Sequence, residues 1–254
     1  MNILLTNDDG IESEGIQILA RALRARGKDR ICVLAPESNR SGISHGLTML
    51  FNPLKLKEQG PDTWSCSGMP VDCVIAGLMG ALPCKPDAVV SGINRGANIG
   101  TDIIYSGTAA AARQAALMGF PAIALSLNGH RDFNWDMAAQ YAADHLEDFI
   151  KIWERDIFIN VNIPNSPEGP EGMLFTWPAR KDYHDVVTVM NGPGNKNWYY
   201  LAPGQETVAD EKGSDWEAVA RNFVSVSPIG IHPVVRRDLC PGAPDYAATG
   251  KRGG

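Results

Sequence analysis

A chain of 254 residues, 44% hydrophobic and 20% charged, has the composition of an ordinary globular protein and the length for a substantial core. Its formal charge of −6, from 23 basic and 29 acidic side chains, argues against a nucleic-acid polymer or an anionic membrane as the main partner, though not against a small anion whose charge a bound cation offsets. No run approaches the roughly 18 apolar residues of a membrane span, no basic and then apolar leader opens the chain, and five scattered cysteines without a CxxC pair read as reduced packing residues, which points to the cytoplasm.

Residues 2–6 (NILLT) are the first predicted strand. Ile16, Leu19, Ala20 and Leu23 then share one face of a helix that Ser13 caps and Gly27 closes. Ile31–Ala35 is a second apolar strand, ended by Pro36. A helix near 70–81, a strand at 87–91, a helix over 107–118, a strand at 121–126, an amphipathic helix over 134–151 and a strand at 157–163 follow. This alternation predicts the α/β class: a Rossmann-like, mostly parallel sheet with right-handed crossovers and helices on both faces.

After residue 163 the texture changes. Residues 164–213 are rich in Gly, Pro, Asn and aromatics, with two short strand-like pieces, VVTVM and NWYYL. They predict an extended arm bearing a β-hairpin, an oligomerisation element in which Trp177, Trp198, Tyr199 and Tyr200 offer burial. A helix (SDWEAVA) and a strand (FVSVSPI) return the chain to the core before an extended C-terminal segment. Without repeats or a low-complexity linker, residues 1–254 read as one domain: core about 1–163 and 214–232, arm about 164–213, tail 233–254.

Ligands of open α/β sheets bind beyond the carboxyl ends of the strands, and the early strands of this chain all end in polar loops. The first gives Thr6-Asn7-Asp8-Asp9-Gly10, the second Glu37 to Gly42, the third Gly92 to Asn98. Adjacent Asp8 and Asp9 repel each other, and each resists leaving water. Two carboxylates with hydroxyl and amide oxygens suit a hard divalent cation, Mg²⁺ or Mn²⁺, which also relieves that repulsion. Capping or turn formation is the alternative use of the DDG motif.

In SGINRGANIG (91–100) the glycines let backbone N–H groups approach an anion, and the asparagines supply neutral oxygens. A GxGxxG dinucleotide fingerprint would belong after the first strand, where NDDG stands instead. Ser106, Gly107 and Thr108 precede an alanine-rich helix, a start that offers a phosphate its N–H groups, its positive dipole end and two hydroxyls. A plain N-cap is the commoner use of such residues. His45, in the Ser41 loop, is in a position to touch substrate.

ILLTNDDG, APESNRSGISHGLT, SGINRGANIG, DIIYSGTAAAA and GFPAIALSL, in this order and spacing, resemble the SurE family of survival-protein nucleotidases. The resemblance covers roughly the first 165 residues and returns at GSDWEAVARNFVSVSPI. It implies a metal-dependent phosphomonoesterase that hydrolyses nucleoside 5′- and 3′-monophosphates to nucleoside and phosphate, and in some members short polyphosphate. It implies one divalent ion per subunit, Mn²⁺ or Mg²⁺, held by Asp8, Asp9, Ser41 and Asn94. Asn98 and the Ser106-Gly107-Thr108 turn would contact the phosphate. The catalytic set is then Asp8, Asp9, Asn98 and Ser106, and the substrate-binding set Asn98, Ser106, Gly107, Thr108 and His45. An exchanged C-terminal segment and homodimers or homotetramers are implied as well. Many relatives carry a glutamate near the position of Arg113 and Gln114, where this chain has no acid. Adjacent acids, rather than the spaced DxD of aspartyl-nucleophile phosphatases, favour metal ligation and attack by water. A metal-dependent transferase and a non-catalytic nucleotide sensor are the rival readings.

Overall fold

Along β1 (Asn2–Thr6) the side chains alternate: Ile3 and Leu5 enter one buried cluster and Leu4 another, so this strand is buried on both faces. The computed structural model describes residues 1–194, 196–209 and 211–233. β1 lies near the middle of a nine-stranded sheet, between β2 (Arg30–Pro36) and β5 (Ala88–Arg95), parallel to both. Beyond β2 come β4 (Thr63–Cys66) and then β3 (Leu56–Gly60). Beyond β5 come β6 (Ala122–Asn128), β7 (Ile157–Pro164), β13 (Val224–Gly230) and β8 (Met173–Phe175). The pairs β7–β13 and β3–β4 are antiparallel, and the rest of the sheet is parallel.

Helices cover both faces, as the alternation requires. α1 (Glu14–Ala25) and α5 (Trp135–Lys151) pack on the face holding Ile3 and Leu5, and α5 contributes Leu146 and Phe149. α2 (Pro70–Leu78) and α4 (Gly107–Leu117) cover the other face, where six buried alanines of α4 leave little bulk between helix and sheet. α3 (Asp102–Tyr105) is a single turn before α4, and α6 (Asp215–Ala220) precedes β13. No helix among the described residues is long and apolar enough to cross a membrane.

The predicted elements are present with ends shifted by up to three residues, except the third strand. That strand was expected to stop at Ser91; β5 instead continues to Arg95 across a register shift between Ser91 and Asn94. Gly92 makes the irregularity feasible: its φ is +132°, and a Cβ there would lie 2.3 Å from the Leu125 carbonyl oxygen. β3, β4 and α3 were not expected from the sequence, being too short or too polar to show a periodicity.

The segment after β7 departs further. β8 adds to the main sheet beside β13, while β9 (Lys181–Asp182) and β12 (Thr207–Val208) form a small ladder at the base of a hairpin. The hairpin strands are β10 (Val186–Gly192) and β11 (Lys196–Ala202). Trp177, Trp198, Tyr199 and Tyr200 were expected to be buried and are exposed instead; the last three stand on a two-stranded ribbon that has nothing to cover its faces, and Trp177 lies in the segment leading to it. The reduced-cysteine expectation also needs correction. Cys66 and Cys73 are free and buried, but Cys32 of β2 and Cys84 are joined as a disulfide, both having been brought into the same apolar cluster. The tail beyond residue 233, with Cys240, lies outside the described residues.

Candidate active site

The carboxyl ends of β1, β5, β6 and β7 supply the site. After Thr6 the chain turns through Asn7, whose amide donates to the Gly10 carbonyl at 2.9 Å and to Ser13 Oγ at 2.7 Å. Ser13 sits at the N-cap of α1, but its hydroxyl serves this turn instead of capping the helix. Gly10, at φ +98°, completes the turn against the backbone of Ser38. The second loop is tied to the first where Arg40 N–H donates to the Asp8 carbonyl at 2.7 Å, which places exposed Ser41 one residue beyond that contact.

Asp8 is 3% exposed. Its Oδ1 accepts the Thr108 hydroxyl at 2.6 Å, and the backbone N–H groups of Gly107 and Thr108 also favour its ionised form. A Cβ on Gly107 would lie 2.7 Å from Asp8 Cβ and 2.9 Å from Oδ2, so the carboxylate rests directly on the start of α4. That start therefore already faces an anion, the Asp8 carboxylate itself. Ser106 is the N-cap: its Oγ accepts from Ala109 N–H at 3.0 Å, which leaves the hydroxyl proton free to donate.

Asp9 Oδ2 accepts from Arg95 N–H at 2.9 Å, the contact that the extension of β5 makes available. Burial pushes both aspartate carboxyls above the usual range, and the charge of Asp8 pushes Asp9 further. Neither forms an ion pair among the described residues: the Arg95 guanidinium, whose charge partly offsets the rise at Asp9, pairs with Glu14 at 3.0 Å. Asn94 Nδ2 donates to the Gly96 carbonyl at 2.9 Å, so its amide oxygen is the atom left to act as a ligand. Among the described residues no three His, Cys, Asp or Glu side chains group to hold a metal. A buried and a half-buried carboxylate with no ion-pair partner among the described residues, flanked by neutral oxygens, fit a hard divalent ion and not a thiolate or imidazole metal.

Asn98 is fixed by three buried residues that were not singled out from the sequence. Its N–H donates to Asn162 Oδ1 at 2.8 Å, its carbonyl accepts from Asn160 Nδ2 at 2.9 Å and Asn162 Nδ2 at 3.1 Å, and its own amide donates to Ser126 Oγ at 2.8 Å. The signal was present: two asparagines in NVNI, on one face of an otherwise apolar strand, need a polar partner inside. Arg95, overlooked beside Asn94 and Asn98, is the other omission. His45 lies within 3.0 Å of Gln114 Oε1 on α4, and its contacts do not include Asp8 or Asp9.

Fold and site together define a Rossmann-like α/β protein with an acidic site at the carboxyl edge of its parallel strands, facing a helix start. The family described as survival protein SurE matches residues 3–185. A protein of Geobacter sulfurreducens named 5′-nucleotidase SurE is 43% identical, over 90% of this chain and 87% of that protein. One of the same name from Acinetobacter baumannii is 42% identical, over 90% of this chain and 93% of that protein. The crystal structure of the SurE protein from Aquifex aeolicus is similar with a TM-score of 0.81 at 34% identity, covering 94% of this chain and 97% of that one. The chain belongs to the SurE family.

Proposed function

We propose that this chain is a metal-dependent nucleoside monophosphate phosphohydrolase that releases nucleoside and phosphate from 5′-monophosphates, and from 3′-monophosphates as well. The observation that carries the reading is the Asp8–Asp9 pair at the end of β1, with Asp8 buried against the start of α4, Asp9 half-buried beside it and no ion-pair partner for either among the described residues. The 5′-nucleotidase names of its relatives support the same reaction.

Asp8, Asp9, Ser41 and Asn94 would hold one divalent ion, Mn²⁺ or Mg²⁺, which supplies polarisation of a phosphoryl oxygen and a water of lowered pKa. Asn98 and Ser106 donate hydrogen bonds to the remaining phosphoryl oxygens as charge builds on them. Thr108 and Gly107 hold the Asp8 carboxylate in place, a restraint that suits a ligand more than an attacking nucleophile, so water is the attacking group. His45, held by Gln114 of α4, would contact the substrate from the second loop.

The hairpin β10–β11 exposes Val187, Val189, Tyr199 and Leu201 on one face and Met190 and Trp198 on the other, apolar surfaces that suit pairing with other copies of the chain. We therefore assign one domain whose arm assembles a homodimer or homotetramer acting in the cytoplasm, with neither membrane nor nucleic-acid polymer as partner. The test is phosphate release from a panel of nucleoside monophosphates after treatment with EDTA and again after addition of Mn²⁺ or Mg²⁺. The reading requires release that returns with the metal. Binding of nucleotide with no release would leave the sensor reading in its place.

A further inference from the structure

We propose that the nucleoside end of the substrate lies in the cleft bounded by Arg95, Phe133 and Trp216, a placement that rests on the phosphohydrolase reading above. The cleft has a volume of about 520 Å³, and Gly96 and Ala97, between Asn94 and Asn98, form its wall toward the site. Arg95 also borders a second cleft, of about 400 Å³, that contains Asp9. A substrate whose phosphate meets the Asp8–Asp9 end therefore has this cleft next to it.

The lining determines which chemistry fits. Arg95 places its guanidinium over the Phe133 ring, 5.1 Å from the centroid, and Phe133 stacks on Trp135 at 5.0 Å with 16° between the planes. Trp135 is held in turn by Glu14, which accepts its indole N–H at 3.1 Å and pairs with Arg95 at 3.0 Å. The result is a supported aromatic and guanidinium surface of the kind on which nucleobases stack. Across the cleft, Trp216, Val219 and Ala220 of α6 and its end add apolar surface, while Asn128 and His130 add polar edges.

Charge excludes the other candidate for this volume, an extended phosphate chain. Among the described residues, both fully charged cations that line the cleft are already paired: Arg95 with Glu14, and Lys181 with Asp102 at 3.0 Å and with Glu206 at 2.8 Å. Asp102 and Glu206 themselves line it, so a polyanion would meet two carboxylates and no unpaired guanidinium or ammonium. A flat, uncharged ring meets neither penalty. Because every base offers a π-face, the cleft should accept purines and pyrimidines alike.

The test compares adenosine 5′-monophosphate with glycerol 2-phosphate, which has the ester but no base, in the metal-loaded protein. Phe133→Ala should lower the ratio of their kcat/KM values by about tenfold or more, through KM for the nucleotide, since base–aromatic stacking is worth roughly that much. Ala220→Trp fills the cleft from an exposed position and should do the same even where Phe133→Ala fails to fold. Calorimetric binding of adenosine alone should be lost in both variants. An unchanged ratio in Ala220→Trp, or equal losses on both substrates, would overturn the cleft assignment. Absence of metal-dependent release from either substrate by the unsubstituted protein would instead overturn the phosphohydrolase reading.

Discussion

Thr108 donates its hydroxyl to Asp8 at 2.6 Å, across a sequence separation of 100 residues, and thereby locks the first turn of α4 to the end of β1. This contact explains how a carboxylate that is almost fully buried keeps a fixed orientation without a lysine or arginine beside it. Hydrogen bonds to a charged group contribute about 1.5–3 kcal/mol. Thr108→Val should therefore weaken Mn²⁺ binding by roughly tenfold or more, and Thr108→Ser should restore most of it. Calorimetric titration of the two variants with Mn²⁺ checks this, and equal affinity in all three proteins would remove Thr108 from the site.

Gly107 matters for space. Adding a methyl group places it 2.7 Å from Asp8 Cβ, closer than Cβ contacts normally come, so either the helix start or the aspartate must shift. A displacement near 1 Å in a catalytic group costs on the order of a hundredfold in rate. Gly107→Ala should lose activity on that scale while its far-ultraviolet circular dichroism stays unchanged.

The two aspartates make stability depend on pH in a direction opposite to that of most acidic residues. Each carboxyl is raised above its ordinary value of 3.8 in the folded protein, chiefly by burial. Such groups contribute stability fully present below that ordinary value and lost as pH rises through the folded pKa. The metal-free protein should thus gain from Asp9→Asn at pH 7 and not at pH 4. Asn can still accept from Arg95 N–H, so the change removes charge while keeping that hydrogen bond. For a chain of this size about 1 kcal/mol moves Tm by about 2–4 °C, a shift that thermal melts of both proteins at both pH values resolve. Saturating Mn²⁺ should reverse the order at pH 7, because only the unsubstituted protein binds it well.

Asn162 positions Asn98 without belonging to the acidic end of the site. Replacing it with alanine strands the Asn98 N–H, while the Asn98 carbonyl keeps its bond from Asn160, a loss of about 1–3 kcal/mol for the buried donor. Asn162→Ala should lower kcat/KM for nucleoside monophosphates by roughly tenfold with Mn²⁺ affinity unchanged. Equal losses in metal affinity would mean that the asparagine network supports the whole edge of the sheet and not Asn98 alone.

The α/β alternation was legible because buried parallel strands such as Ile31–Ala35 and PAIALS are short apolar runs separated by amphipathic helices. The loops carrying Asp8 and Ser41 and the polar run containing Asn94 were legible for a related reason, since polar residues directly after apolar strands fall at one edge of the sheet. The continuation of β5 to Arg95 was not, because Gly92 followed by Asn94 reads as a loop and only pairing with β6 makes it a strand. Nor could local patterns show that Asp8 would occupy the start of α4, a contact between segments far apart in the chain. The hairpin aromatics misled because a sequence of apolar and aromatic residues records that burial is needed, not whether the same chain provides it.

The claim that Asp8 and Asp9 exist to hold a cation is tested most directly by counting bound Mn²⁺ with electron paramagnetic resonance in the unsubstituted protein, Asp8→Asn and Asp9→Asn, all freed of metal beforehand. One ion per chain in the first protein, and at least a tenfold loss of affinity in each variant, is the predicted result. Stoichiometric binding of undiminished affinity in either variant would contradict it.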